Sequence, residues 1–92
     1  MIMRESLFTI VCHNGVFVLP EAIYKSLASF ARKDFVYIRE DEDALLISTI
    51  PIADGRRRVL HMRLRAPMFR TARQLAIVDF RDAIRVMPIS SS

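Results

Sequence analysis

The sequence predicts an α+β fold: a small, mostly antiparallel β domain in which a β-hairpin, a helix, a second β-hairpin and a further strand precede a C-terminal helix. Three observations carry the prediction. An Asn-Gly pair follows a β-branched run, Leu7 to Cys12, and supplies the positive φ angles of a tight hairpin turn. A proline, Pro20, then opens a stretch with apolar residues at helical spacing. Arg56 to Arg65 alternates polar and apolar residues as a half-buried strand does.

In chain order, the first hairpin has Leu7-Phe-Thr-Ile-Val-Cys12 as one arm, His13-Asn14-Gly15 as its turn and Val16 to Leu19 as the return arm. Pro20 cannot donate to a ladder but suits a first helical turn, so the spacing predicts a helix from Pro20 to about Ala31. Its buried stripe is Ile23, Leu27, Phe30 and Ala31, with Glu21 at the favourable end of the dipole and Lys25, Ser26 and Ser29 facing water. Phe35 to Arg39 and Leu45 to Ile50 form the second hairpin around the acidic turn Glu40 to Asp43, which reads as a solvated tip. The turn lacks the spacing and central glycine of a calcium loop.

After the break at Pro51 to Gly55, one strand is expected over Arg56 to Arg65, with Leu60, Met62 and Leu64 inward. Its outer face carries arginines beside His61, an anion surface. Between Pro67 and Pro88, the residues Phe69, Ala72, Leu75, Ala76, Phe80, Ala83 and Met87 share one helical face, which predicts a helix of about five turns. Ile77 and Val78 lie off that face, and the same stretch also reads as two short strands, Leu75 to Phe80 and Ala83 to Met87.

Composition bounds the function. The 92 residues fit one domain, 1–92, with residues 56–87 as an Arg-rich strand and helix extension. At 52% hydrophobic with two Gly and four Pro, the chain has enough apolar surface to offset chain entropy and fold. No apolar run approaches the roughly 20 residues that cross a bilayer, and no leader pattern opens the sequence, so a soluble, cytoplasmic protein with no membrane partner is expected.

One cysteine and two distant histidines provide neither a disulfide nor a zinc spacing, and no cofactor is implied. Cys12 and His13 are adjacent on a strand and point to opposite faces, Cys12 reads as a small buried residue, and no nucleophile meets an orienting base. The expected protein is not an enzyme. Charge is polarised: residues 1–50 hold five cations against seven acids, a net of −2, and residues 51–92 hold nine arginines against three acids, a net of +6. Twelve of the fourteen basic residues are Arg, the fork that pairs bidentately with phosphate or carboxylate.

The string Gly15-Val-Phe-Val-Leu-Pro-Glu-Ala-Ile-Tyr-Lys-Ser-Leu27, then Lys33-Asp34-Phe-Val-Tyr-Ile and Leu45-Leu-Ile-Ser, resembles the AbrB/MazE-type swapped-hairpin DNA-binding family over residues 7–50. Gly15, Pro20, Ile23, Leu27, Asp34, Val36 and Ile38 match its landmarks, and Lys33 stands where that pattern has glycine. The resemblance implies an interlaced homodimer in which two chains exchange hairpins, and a transcriptional regulator or antitoxin-like protein that binds duplex DNA. Independently, some forty residues of short strands bury too little surface to stand alone, so either a partner or the C-terminal helix has to complete the core.

Leu7 to Leu19 holds no Lys or Arg, which moves DNA contact away from the first strand. The candidate contacts are Asn14 at the hairpin tip, Lys25, Arg32 and Lys33 along and after the helix, and Arg56, Arg57, Arg58, Arg63 and Arg65 in the basic half. The alternative reading is an interaction adaptor that uses the same arginines to dock an acidic protein partner.

Overall fold

Pairing between strands distant in the chain organises the protein. The computed structural model describes residues 6–31 and 34–89. In chain order these form β1 (Ser6–Val11), β2 (Val16–Val18), α1 (Glu21–Phe30), β3 (Phe35–Glu40), β4 (Leu45–Ser48), β5 (Arg56–Val59), β6 (Arg63–Arg65), a single 3-10 turn (Pro67–Phe69), β7 (Gln74–Asp79) and β8 (Ala83–Pro88). Six strands make one antiparallel sheet in the order β1-β7-β8-β4-β3-β5, and β2 with β6 makes a second, two-stranded sheet. The coarse prediction, a small α+β protein of mostly antiparallel strands, therefore matches.

The expected C-terminal helix is replaced by the β7–β8 hairpin. Leu75, Ile77, Ile84 and Val86 are fully buried, while Ala76, Val78, Arg85 and Met87 lie on the opposite face, a period of two rather than 3.6. The β-branched residues off the helical stripe, Ile77 and Val78, marked this outcome, and Asp79 Oδ1 accepts the Arg81 N–H in the connecting turn. The hairpin sits in the middle of the sheet, with β1 against β7 and β4 against β8.

The first hairpin is corrected in a different way. Its turn forms as expected, with Asn14 at φ 52° and Gly15 at φ 80°, and His13 and Val16 exchange both backbone hydrogen bonds at 2.9 Å. Beyond that pair the arms part. β1 finds β7, from Ser6 opposite Asp79 to Val11 opposite Gln74, and β2 finds β6. The strand expected over Arg56 to Arg65 is likewise divided: β5 adds to β3, β6 adds to β2, and buried Leu60 donates its N–H to Asp34 O between them.

The helix runs as its spacing predicts, with Ile23 and Leu27 buried against the sheet. Phe30, expected on that stripe, is instead 52% exposed at the last turn. Glu21 and Lys25 pair at 2.9 Å one turn apart on the water side, an exposed contact worth about 0.3–0.5 kcal/mol. The second hairpin and its acidic turn form as expected: Asp41 N donates to Ala44 O, and Glu42 and Asp43 face solvent.

The core is a single cluster in which α1, Phe17 and Leu19 of the return arm, and Phe69 pack with the inward residues of β3, β4, β7 and β8. Phe17 and Phe69 meet edge to face with centroids 6.1 Å apart. Strands of the same chain thus cover the apolar side of the first fifty residues, and the C-terminal segment completes the core as strands. The other face of the six-stranded sheet carries no helix among the described residues; it presents Leu7, Val11, Val78, Met87, Leu46, Tyr37, Phe35 and Val59 with Arg39, Arg57 and Arg85 among them.

Gly15 is required twice over. Its φ of +80° is unfavourable for any side chain, and a Cβ there would stand 2.7 Å from Ala66 O. Gly15→Ala is expected to destabilise by more than about 1 kcal/mol, and Leu27→Ala by about 2–5 kcal/mol. Urea melts of the two variants against the parent measure both losses.

Candidate nucleic-acid interface

β-strand alternation sorts the three consecutive arginines of β5. Arg56 stands opposite Ile38 and Arg58 opposite Val36, so both lie on the sheet face that bears the core. Arg57 stands opposite Tyr37 on the other face, and its guanidinium carbon is 4.8 Å from the Phe35 ring centroid. On β6, Arg63 and Arg65 flank Leu64, which pairs with Phe17 and packs against the core. The two arginine pairs line one open groove of about 800 Å³ between the edge of the large sheet and the small sheet, with Ile38, Leu45 and Leu64 also in its walls.

Charge in the groove is unevenly distributed. Arg39 also borders it, although its side chain leaves β3 on the opposite face, and its Nε donates to Asp41 Oδ1 at 2.9 Å, so this cation is engaged with the acidic turn. Glu40 and Asp54 are the remaining acids of the lining. Among the described residues, Arg56, Arg58, Arg63 and Arg65 hold no ion pair, and all four are exposed. His61, between the two strands, adds a ring that can donate or accept a hydrogen bond. Among the described residues no Phe, Tyr or Trp lines the groove.

Of the nine contacts expected from sequence, four are therefore brought together. Arg57 faces away over Phe35. Asn14 occupies the left-handed turn position that the hairpin needs and lines no part of the groove. Lys25 is on α1, paired with Glu21. Arg32 and Lys33 lie outside the described residues. Sequence reading passed over Arg39; its position two residues before Asp41 on a strand leading into an acidic turn was the available signal. The concavity itself had none, because it arises where β5 and β6, neighbours in sequence, join different sheets.

Cys12 is 4% exposed, and its Sγ donates weakly to Phe69 O at 3.6 Å, whereas His13 is exposed on the other side of the strand. They share no site. Among the described residues no group of three His, Cys, Asp or Glu side chains is placed to hold a metal ion, and no helix is long and apolar enough to cross a membrane. No family model, curated protein or solved structure matches the chain.

The different surroundings of the β5 arginines separate their effects on stability. Arg57→Ala is expected to cost about 0.5–1 kcal/mol through loss of the contact with Phe35. Arg56→Ala and Arg58→Ala should stay within about 0.5 kcal/mol of the parent. Thermal and urea melts of the three single variants provide the comparison.

Proposed function

We propose that the chain is a non-enzymatic DNA-binding protein, of the transcriptional-regulator or antitoxin kind, that grips duplex DNA by its phosphates along the β5–β6 groove. The observation that carries this reading is the convergence of Arg56, Arg58, Arg63 and Arg65, unpaired among the described residues, on one groove. Guanidinium forks suit phosphate oxygens, and burial is not needed for them to act. A groove of about 800 Å³ is too small for a duplex but accommodates a ridge of backbone.

Duplex is favoured over single strands. Proteins that bind single strands stack bases on aromatic side chains, and this lining offers only the small imidazole of His61. The resemblance of residues 7–50 to the AbrB/MazE pattern supports the regulator class. Hairpin exchange plays no part in the reading, because β1 and α1 are covered by strands of the same chain. Phosphate contacts by themselves carry no sequence information, so affinity should vary little between duplexes of different sequence.

Four phosphate contacts imply a slope of about −3.6 in log K against log salt, and hence a loss of about a hundredfold in affinity between 50 and 200 mM. Fluorescence anisotropy with a mixed-sequence duplex measures it. Replacing Arg58 or Arg63 by Ala should lower the magnitude of the slope by about one each, while Arg57→Ala and Asn14→Gly should leave it unchanged. A flat titration at low salt removes the DNA reading; capture of an acidic protein through the same four arginines would put the adaptor in its place.

A further inference from the structure

The large sheet ends at β1, which has a neighbour on one side only among the described residues. Cys12 N donates to Arg73 O at 2.8 Å, one step beyond the β1–β7 register. Backbone groups alternate sides along an antiparallel strand, so Ile10 and Phe8 also turn theirs towards β7, and the N–H and C=O of Leu7, Thr9 and Val11 turn to the open edge. The same three side chains are exposed, Leu7 at 67% and Val11 at 74%. Beside this edge β2 swings away after the His13–Val16 pair, leaving a mostly apolar cleft of about 600 Å³ bordered by Ile10, Val11, Val18 and Pro20, with His13 and Arg63 also in its lining.

Charge decides what can lie there. Ser6 to Cys12 contains no charged residue on a chain of net charge +4. The opposite end of the sheet, β5, and the small-sheet strand β6 bear the arginines, and like charges facing each other oppose self-pairing at those edges. β2 is uncharged but only three residues long. Among the described strand edges, one that is uncharged, six residues long and apolar on its exposed side is where two copies can meet over the greatest length without repulsion.

We propose that β1 is the docking surface for a second copy of this chain, added antiparallel about a two-fold axis at Thr9. Thr9 then faces the partner's Thr9, and Leu7 faces the partner's Val11 on each side of the axis. The six outward-turned residues, three per copy, would exchange six backbone hydrogen bonds, and the exposed Leu and Val side chains become cross-strand pairs. On the core side Phe8 faces the partner's Ile10, which closes the half-buried flank of each core. No hairpin is exchanged, and of the groove arginines only Arg63 also borders the cleft and none lies on β1, so the proposal does not rest on DNA binding.

A strand edge roughly 20 Å long, on a molecule 25 Å thick in its shortest direction, offers roughly 500 Å² per copy, the size of a weak and concentration-dependent dimer.

Sedimentation equilibrium of the full chain over a concentration series tests the proposal. A monomer–dimer equilibrium that persists in high salt is expected. Thr9→Lys and Thr9→Glu, both at an exposed position whose backbone does not bond β7, should each weaken the dimer by about tenfold, with unchanged circular dichroism. An equimolar mixture of the two should restore it, because the axis puts residue 9 against itself. A parent chain that stays monomeric up to its solubility limit, a dimer indifferent to both substitutions, or a mixture that remains monomeric would each overturn the proposal.

Discussion

The antiparallel insertion of β7 and β8 between β1 and β4 is the constraint on which the rest of the molecule depends. Without it the first strand has no ladder, the second hairpin has an open side, and Ile23 and Leu27 of the helix have no floor, because Leu75, Ile77, Ile84 and Val86 are that floor. The pairing joins the start of the described chain to its end. Loop-closure entropy must be met before such contacts contribute, so the local hairpins β3–β4 and β7–β8 are the elements able to form ahead of the β1–β7 and β4–β8 pairings.

How much of this was legible in the amino acids follows from the range of each interaction. The Asn14-Gly15 turn, the Pro20 helix start and the β3–β4 hairpin depend on neighbours a few residues away, and all three were read correctly. Residues 67–88 were misread because Phe69, Ala72, Leu75, Ala76, Phe80 and Ala83 satisfy a helical period while Leu75, Ile77, Ile84 and Val86 satisfy a strand period, and only β1 and β4 on either side settle the choice. The first arm failed for the same reason: its return strand was present, but a better partner lay at the far end of the chain.

The candidate site divides along the same line. From alternation it was readable that Arg56 and Arg58 share one face, that Arg63 and Arg65 share the opposite one, and that Arg57 is separated from its neighbours. That the two pairs face one groove was not, since it depends on Leu60 turning the chain from one sheet to the other while its N–H is held by Asp34. The first fifty residues bury too little surface to stand alone, and the strands after Arg56 supply the rest within one chain.

The sheet face opposite α1 has a consequence of its own. Large side chains from all six strands meet water there, and Arg39, Arg57 and Arg85 are the charges set among them. Long guanidinium side chains shield apolar neighbours with their stems while keeping a hydrated head. Colloidal behaviour of the protein at high concentration therefore leans on these three cations: neutralising Arg85, which holds no ion pair among the described residues, would leave the melting curve nearly intact and yet bring on precipitation.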